Sequence, residues 1–296
     1  MTNPASAAGR FLLGGDLDVA RIGYGSMKLT NWPQGGRSPE RETALRVLRE
    51  AVALGVNHID TSYYYVDGEG FRAPELIREA LHPYPEDLVI VTKVGPIMTG
   101  VEGDAHDGLE PERLREAVEW NLAALGVERV DVVNLRVDGV NPLPGGTLQQ
   151  PLESLLKLKD EGLIGHIGIS NVRQDRFEEA MRYAPIACVQ NLYNLGRRET
   201  SDPIIDACER AGIAFVPFFP VSGFDEETTA KVAAVAARHS STPQQIALAW
   251  LLRRSPNILL IPGTGSPAHL AENVAAAGIE LSDADLADLD RTQVPD

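Results

Sequence analysis

Cysteine is nearly missing from this chain: Cys188 and Cys208 are the only two in 296 residues. They form no CxxC pair and have no nearby histidine set, so neither a zinc site nor a disulfide framework is expected. Both read as buried thiols of a reducing cytoplasm, one in a strand and one in a helix. No run of about 18 apolar residues is available to span a bilayer. The opening MTNPASAAGRFLLGG has no basic start followed by a long apolar stretch, so no secretory signal is expected, and the location is read as cytoplasmic. Basic residues are few, 27 Lys and Arg against 42 Asp and Glu for a formal charge of -15. With no basic run among them, nucleic acid is excluded as a partner. Low-complexity tracts and linkers are also absent. One domain over 1–296 is therefore expected, a length that single parallel barrels reach.

What is present is alternation. After a hairpin expected over Phe11 to Val19, eight apolar runs read as strands: ARIGYGSM, VNHIDTS, LVIVTKV, RVDVVNLR, GHIGIS, ACVQNLY, IAFVPFF and NILLIPG. Amphipathic stretches such as ETALRVLREAVALG, PERLREAVEWNLAALG and DPIIDACERAG separate them and stop at glycines that suit helix ends. Repeated βα units predict a parallel sheet, and eight of them predict closure into a (β/α)8 TIM barrel with an N-terminal β-hairpin and C-terminal helices. A doubly wound dinucleotide fold alternates in the same way. It is excluded because Gly23-Tyr24-Gly25 is followed by Ser26, Met27 and Lys28, without the third glycine, and no acidic residue closes a second strand about 20 residues on. The longest irregular connections, Pro96 to Glu110 and Asp138 to Thr147, follow strands and so belong to the rim where a barrel keeps its chemistry.

Three residues reach that rim from neighbouring strands. Asp60 ends one, Tyr65 lies five residues further, and Lys93 ends the next. A tyrosine can protonate a nascent alkoxide if its pKa of about 10 is lowered, which a neighbouring ammonium does by favouring phenolate. Asp60 would hold that ammonium charged. The plainer reading is a rim ion pair beside a packed tyrosine, since Tyr63, Tyr64 and Tyr65 run together and any of them can pack. His58 and Asp60 form an H-x-D pair on one strand face, which a metal-dependent hydrolase would use. His82, His106, His166, His239 and His269 fall elsewhere, so no metal site is expected.

HIDTSYYY, TKVG, GISN at 168–171, QNLYN at 190–194 and IPGTGSPAHLAEN at 261–273, in this order from GYGSMKL onward, resemble the aldo-keto reductase family. The resemblance covers nearly the whole chain. It implies a barrel that binds NADPH/NADP+ in extended form and moves hydride to a small aldehyde or ketone, with Tyr65 as general acid, Lys93 tuning it and Asp60 partnering Lys93. In the fourth slot, where such proteins carry a histidine at the end of strand four, RVDVVNLR places Arg136. Arginine stays charged and accepts no proton, so a relay through this position is excluded. Arg136 remains open as an oxyanion donor, as an anchor for an anionic substrate group, or as the partner of a rim acid such as Asp138.

The same resemblance implies Ser170, Asn171 and Gln190 at the nicotinamide carboxamide, Phe218 stacked under its ring, and Gly25, Ser26, Met27, Asp60 and Pro220 along the cofactor groove. For the phosphate end it implies Gly263, Thr264, Gly265, Ser266 and His269, with Glu272 and Asn273 toward adenine. Relatives that favour NADPH often carry Lys and Arg where this chain has Gly263 and His269, so NADH stays an alternative. The Arg136 pattern is similar to a bacterial branch that includes pyridoxal reductases, making pyridoxal a candidate substrate. Little chain follows LSDADLADLDR to cover the pocket, which predicts an open site of modest selectivity. A monomer or weak homo-oligomer is expected, and a nucleotide-sensing module with little turnover is the rival reading.

Overall fold

Strands β1 (Arg10–Leu13) and β2 (Leu17–Ala20) pair antiparallel, Phe11 opposite Val19, as the hairpin expected. Seven strands then follow in one parallel sheet in sequential order: β3 (Tyr24–Gly25), β4 (His58–Asp60), β5 (Val89–Val94), β6 (Val130–Arg136), β7 (Ile164–Ser170), β8 (Ile186–Leu192) and β9 (Ala214–Phe218). This is a computed structural model, and it describes residues 3–30, 38–96, 108–137, 146–198, 201–221 and 223–290. Most of the two long rim connections, Asp138 included, lies outside the described residues.

The expected eighth strand, NILLIPG, is thinner than its sequence suggests. It pairs only through single bridges, Ile258 with Phe215 on one side and Leu260 with Ile22 on the other. Four backbone hydrogen bonds hold this seam: Phe215 N–H to the Asn257 carbonyl, Leu259 N–H to Phe215, Leu260 N–H to Arg21, and Gly23 N–H to Leu260. The sheet therefore curls until β9 and the segment before β3 share one neighbour, which makes the fold a TIM-type barrel.

Helices occupy the outside because each buries one stripe of a periodic sequence. Among the described residues they are α1 (Met27–Thr30), α2 (Arg41–Ala53), α3 (Ala73–Leu81), α4 (Pro111–Leu125), α5 (Gln149–Asp160), α6 (Gln174–Tyr183), α7 (Asp202–Ala211), α8 (Glu226–Arg238), α9 (Pro243–Arg254), α10 (Pro267–Ala275) and α11 (Asp283–Asp290). Leu45, Leu48, Leu114, Val118, Ile204 and Ile205 turn inward from these helices onto the outer face of the sheet. Inside the barrel a second apolar layer joins Val89, Val91, Val132, Ala214 and Leu259 to Leu13 and Val19 of the hairpin. The hairpin thus stoppers the N-terminal end, and chemistry is left to the opposite rim. Cys188 on β8 and Cys208 on α7 are both buried thiols, and burial pushes each up to about 12. No described helix is long and apolar enough to cross a membrane.

Candidate active site

Strand pleating decides which side chains meet at the rim. In β4 and β5 alternate residues face inward, and the register pairs Asp60 with Val91, one inward position below Lys93. Lys93 Nζ reaches back to donate to Asp60 Oδ1 at 2.6 Å and to the Thr61 carbonyl at 3.0 Å. Both side chains are almost wholly buried. The other carboxylate oxygen, Asp60 Oδ2, accepts from Gln190 Nε2 at 2.9 Å. Burial by itself would depress the Lys93 ammonium. The charges of Asp60, Tyr65 and Tyr64 and the hydrogen bond to Asp60 outweigh it, so Lys93 is held above the usual lysine range.

The three consecutive tyrosines separate. Tyr63 stacks on Trp120 at 5.3 Å between ring centroids, with the Arg72 guanidinium on its ring at 4.1 Å. Tyr64 packs edge-on against Tyr65 at 5.6 Å. Tyr65 alone of the three lines the rim cavity, its ring centroid 5.0 Å from Lys93 Nζ. Its titration runs opposite to the sequence expectation. Burial pushes the phenol up to about 12, and the attraction of Lys93, though it pulls downward, is smaller. Tyr65 is therefore held as a neutral O–H donor, the form a general acid gives its proton from.

Arg136 ends β6 and lines the same cavity, and the backbone just past β5 approaches it closely. Gly95 has a φ of +97°, and a Cβ there would lie 2.5 Å from the Arg136 carbonyl oxygen. The partner of Arg136 is Asn171, one residue past β7. With the amide oxygen turned to the guanidinium it accepts from Nε at 3.2 Å and from Nη2 at 3.3 Å, whereas the opposite orientation sets donors against donors.

The cavity these groups share measures about 480 Å³. Its lining includes the expected Gly25, Met27, Asp60, Tyr65, Lys93, Arg136, Ser170, Asn171, Gln190, Phe218 and Gly263. Four lining residues escaped the sequence reading: Lys28, Phe219, Val221 and Ile261. Lys28 follows the G-Y-G-S-M run directly, and its side chain packs beside Gly263, so a scan for cations near the rim had a signal to find it. Phe219 had no such signal. Its φ of +52° is rare for an aromatic residue and turns the ring outward beside Phe218 at 5.5 Å, while Asn194 Nδ2 donates to its carbonyl at 2.8 Å.

Other expected residues stand away from the lining. The Ser26 hydroxyl donates to Thr61 Oγ1 at 2.9 Å, bracing the ends of β3 and β4, and Pro220 is buried in the turn after β9. Thr264, Gly265, Ser266, His269, Glu272 and Asn273 lie on α10 or the loop before it. Two backbone donors there are already engaged. Ser266 N–H goes to Thr264 Oγ1 at 3.1 Å, and His269 N–H goes to Ser266 Oγ as a helix cap at 3.4 Å. His58 sits inside the barrel against Gly23. No group of three or more His, Cys, Asp or Glu poised for a metal occurs among the described residues.

A family model described as "Aldo/keto reductase family" matches residues 21–293. The chain belongs to that family. It is 47% identical over 279 residues, 93% of its length and 96% of the relative's, to pyridoxine 4-dehydrogenase of Escherichia coli strain K12. Two solved aldo-keto reductases of Klebsiella pneumoniae superpose on it. One, in complex with NADP and acetate, has a TM-score of 0.78 at 27% identity and covers 95% of this chain and 94% of that one. The other, in complex with NADPH, has a TM-score of 0.80 at 26% identity with the same coverage. Membership makes the protein an oxidoreductase of the NADP(H)-dependent, carbonyl-reducing kind.

The residues on the cavity wall fit that cofactor. Because Gln190 gives its N–H to Asp60, its Oε1 is turned away and is left buried without a partner among the described residues. A buried amide acceptor is costly to leave unmade, and a carboxamide N–H satisfies it. Ser170 ends β7 beside Gln190 in register and adds a hydroxyl, and Phe218 offers a flat ring.

Proposed function

We propose that the protein reduces a planar aromatic aldehyde of the pyridoxal type to its alcohol with NADPH, using Tyr65 as general acid. The observation that carries this reading is Tyr65, neutral at the cavity wall and held against the Asp60-paired Lys93 ammonium. NADPH, when bound, would supply the hydride for the carbonyl carbon. Tyr65 gives its phenolic proton to the carbonyl oxygen, completing the C–H and O–H bonds of the alcohol. The phenolate that remains is stabilised by Lys93, whose own charge is fixed by Asp60. Gln190 and Ser170 would hold the carboxamide, and Phe218 would offer its ring face to the nicotinamide. In this scheme the phosphate end is held by the α10 N-terminus with Thr264, Gly265, Ser266 and His269, and Lys28 adds a cation.

Arg136 does not move a proton. It anchors an anionic group on the substrate, such as a phenolate beside the aldehyde, and its place in the cavity wall supports that role. The 47% identity to a pyridoxine 4-dehydrogenase supports the substrate class. Steady-state NADPH oxidation with pyridoxal and with simple aldehydes tests the proposal. Tyr65→Phe should cost about 100-fold or more in kcat/KM while NADPH still binds. Turnover of simple aldehydes with none of pyridoxal would remove the substrate assignment, and negligible turnover by wild type and variant alike would favour a nucleotide sensor.

A further inference from the structure

We infer that Asn171 is a positioning residue for Arg136, and that its neutrality is what keeps the guanidinium charge available to an anionic substrate. The inference rests on the anchoring role proposed for Arg136. Two cations face the cavity from the strand ends, and they are treated differently. Lys93 is neutralised by a buried carboxylate at 2.6 Å. Arg136 is held by an amide oxygen at 3.2 and 3.3 Å, which fixes its direction without cancelling its charge. Among the described residues no carboxylate lies within ion-pair distance of Arg136.

The backbone is arranged for this contact. Arg136 pairs in register with Ser170, so the next residue lies one step beyond the strand end. There Asn171 takes a φ of +55°, a conformation that asparagine adopts more readily than most side chains. Its own N–H donates to the Gln190 carbonyl at 3.0 Å, tying the turn to β8. Both Asn171 and Arg136 line the cavity. Asn171 thereby links the end of β6 to β8, through its side-chain oxygen on Arg136 and its backbone N–H on Gln190.

An isosteric change separates charge from position. Asn171→Asp keeps the contact and the backbone preference but converts it to an ion pair, whereas Asn171→Gly suits the backbone and removes the tether. The measurement is the ratio of kcat/KM for 4-carboxybenzaldehyde to that for benzaldehyde, with NADPH saturating and folding checked by thermal melting. Each variant is compared through the ratio because Asn171 also borders the cofactor. We expect Asn171→Asp to lower the ratio about 10-fold or more, mostly through KM of the anionic aldehyde, and Asn171→Gly to lower it by less. A ratio unchanged in Asn171→Asp, or lowered equally in Asn171→Gly, overturns the inference. Arg136→Met separates the two levels. If it leaves the ratio at the wild-type value, the anchoring role itself fails, while if it collapses the ratio and Asn171→Asp does not, only the role of Asn171 fails.

Discussion

Gln190 donates its side-chain N–H to Asp60 at 2.9 Å, on the carboxylate oxygen that Lys93 leaves free. One buried carboxylate thus orients both the Lys93 ammonium and the Gln190 amide proposed for the cofactor. Gln190→Glu sets a second carboxylate against the first, and like charges at this distance cannot both stay ionised. NADPH affinity should fall about 10-fold or more, read by quenching of protein fluorescence. An unchanged affinity would remove Gln190 from the cofactor site.

Tyr65 titrates at about 12 because burial outweighs Lys93. A group raised in this way keeps its proton until the pH passes the raised value, so the reducing direction should show no loss assignable to Tyr65 between about pH 6 and pH 9. A rate profile for kcat/KM with a falling limb near pH 8 that disappears in Tyr65→Phe would contradict it.

Lys93→Met leaves Asp60 buried without its cation. Stranding one member of a buried pair costs about 3 to 5 kcal/mol, which lowers Tm by roughly 10 °C in a chain of this size. The double variant Asp60→Asn with Lys93→Met should recover most of that loss, although activity stays absent. Equal melting of the single and double variants would show that the pair does not interact as described.

His58 carries no catalytic role in this scheme, yet it should shape acid stability. Burial pushes its imidazole down to about 4 from 6.5, with the Ala20 backbone partly opposing. The folded state therefore refuses a proton that the unfolded chain takes up. Its contribution is complete above about pH 6.5 and is lost as pH falls toward 4, on the order of 3 kcal/mol. In urea melts, wild type should lose about 2 kcal/mol relative to His58→Leu between pH 7 and pH 5, and a constant difference between the two would count against it.

Asp60, Tyr65, Lys93 and Arg136 were legible in the sequence because each closes or follows an apolar run, and the period of two in a strand decides which way it points. Their grouping in one cavity follows from strand order alone. The titration of Tyr65 was not legible, since its direction depends on how much protein covers the ring, which no motif records. Phe219 and Val221 escaped for a related reason: they reach the cavity through the turn after β9, the first at a positive φ, while Ile261 ends an apolar run and reads as core. NILLIPG reads as a full strand by composition, yet only Ile258 and Leu260 bridge to neighbours, because apolar content reports burial and not pairing. At the phosphate end the hydroxyls of Thr264 and Ser266 accept short-range caps from Ser266 and His269 N–H, an arrangement that leaves their own O–H groups to donate and that no motif records.

The thin closure between β9 and the start of the barrel runs straight into Gly263 and the α10 loop. A dinucleotide lying from Gln190 across Gly263 would span that seam from outside, acting as a clasp on the barrel's weakest join. Cofactor loading and resistance to local opening then become one property. Amide exchange at Phe215, Leu259, Leu260 and Gly23, the four donors of the seam, should slow on adding NADPH more than exchange within β6 and β7, and the empty enzyme should be nicked by proteases here before anywhere else in the sheet.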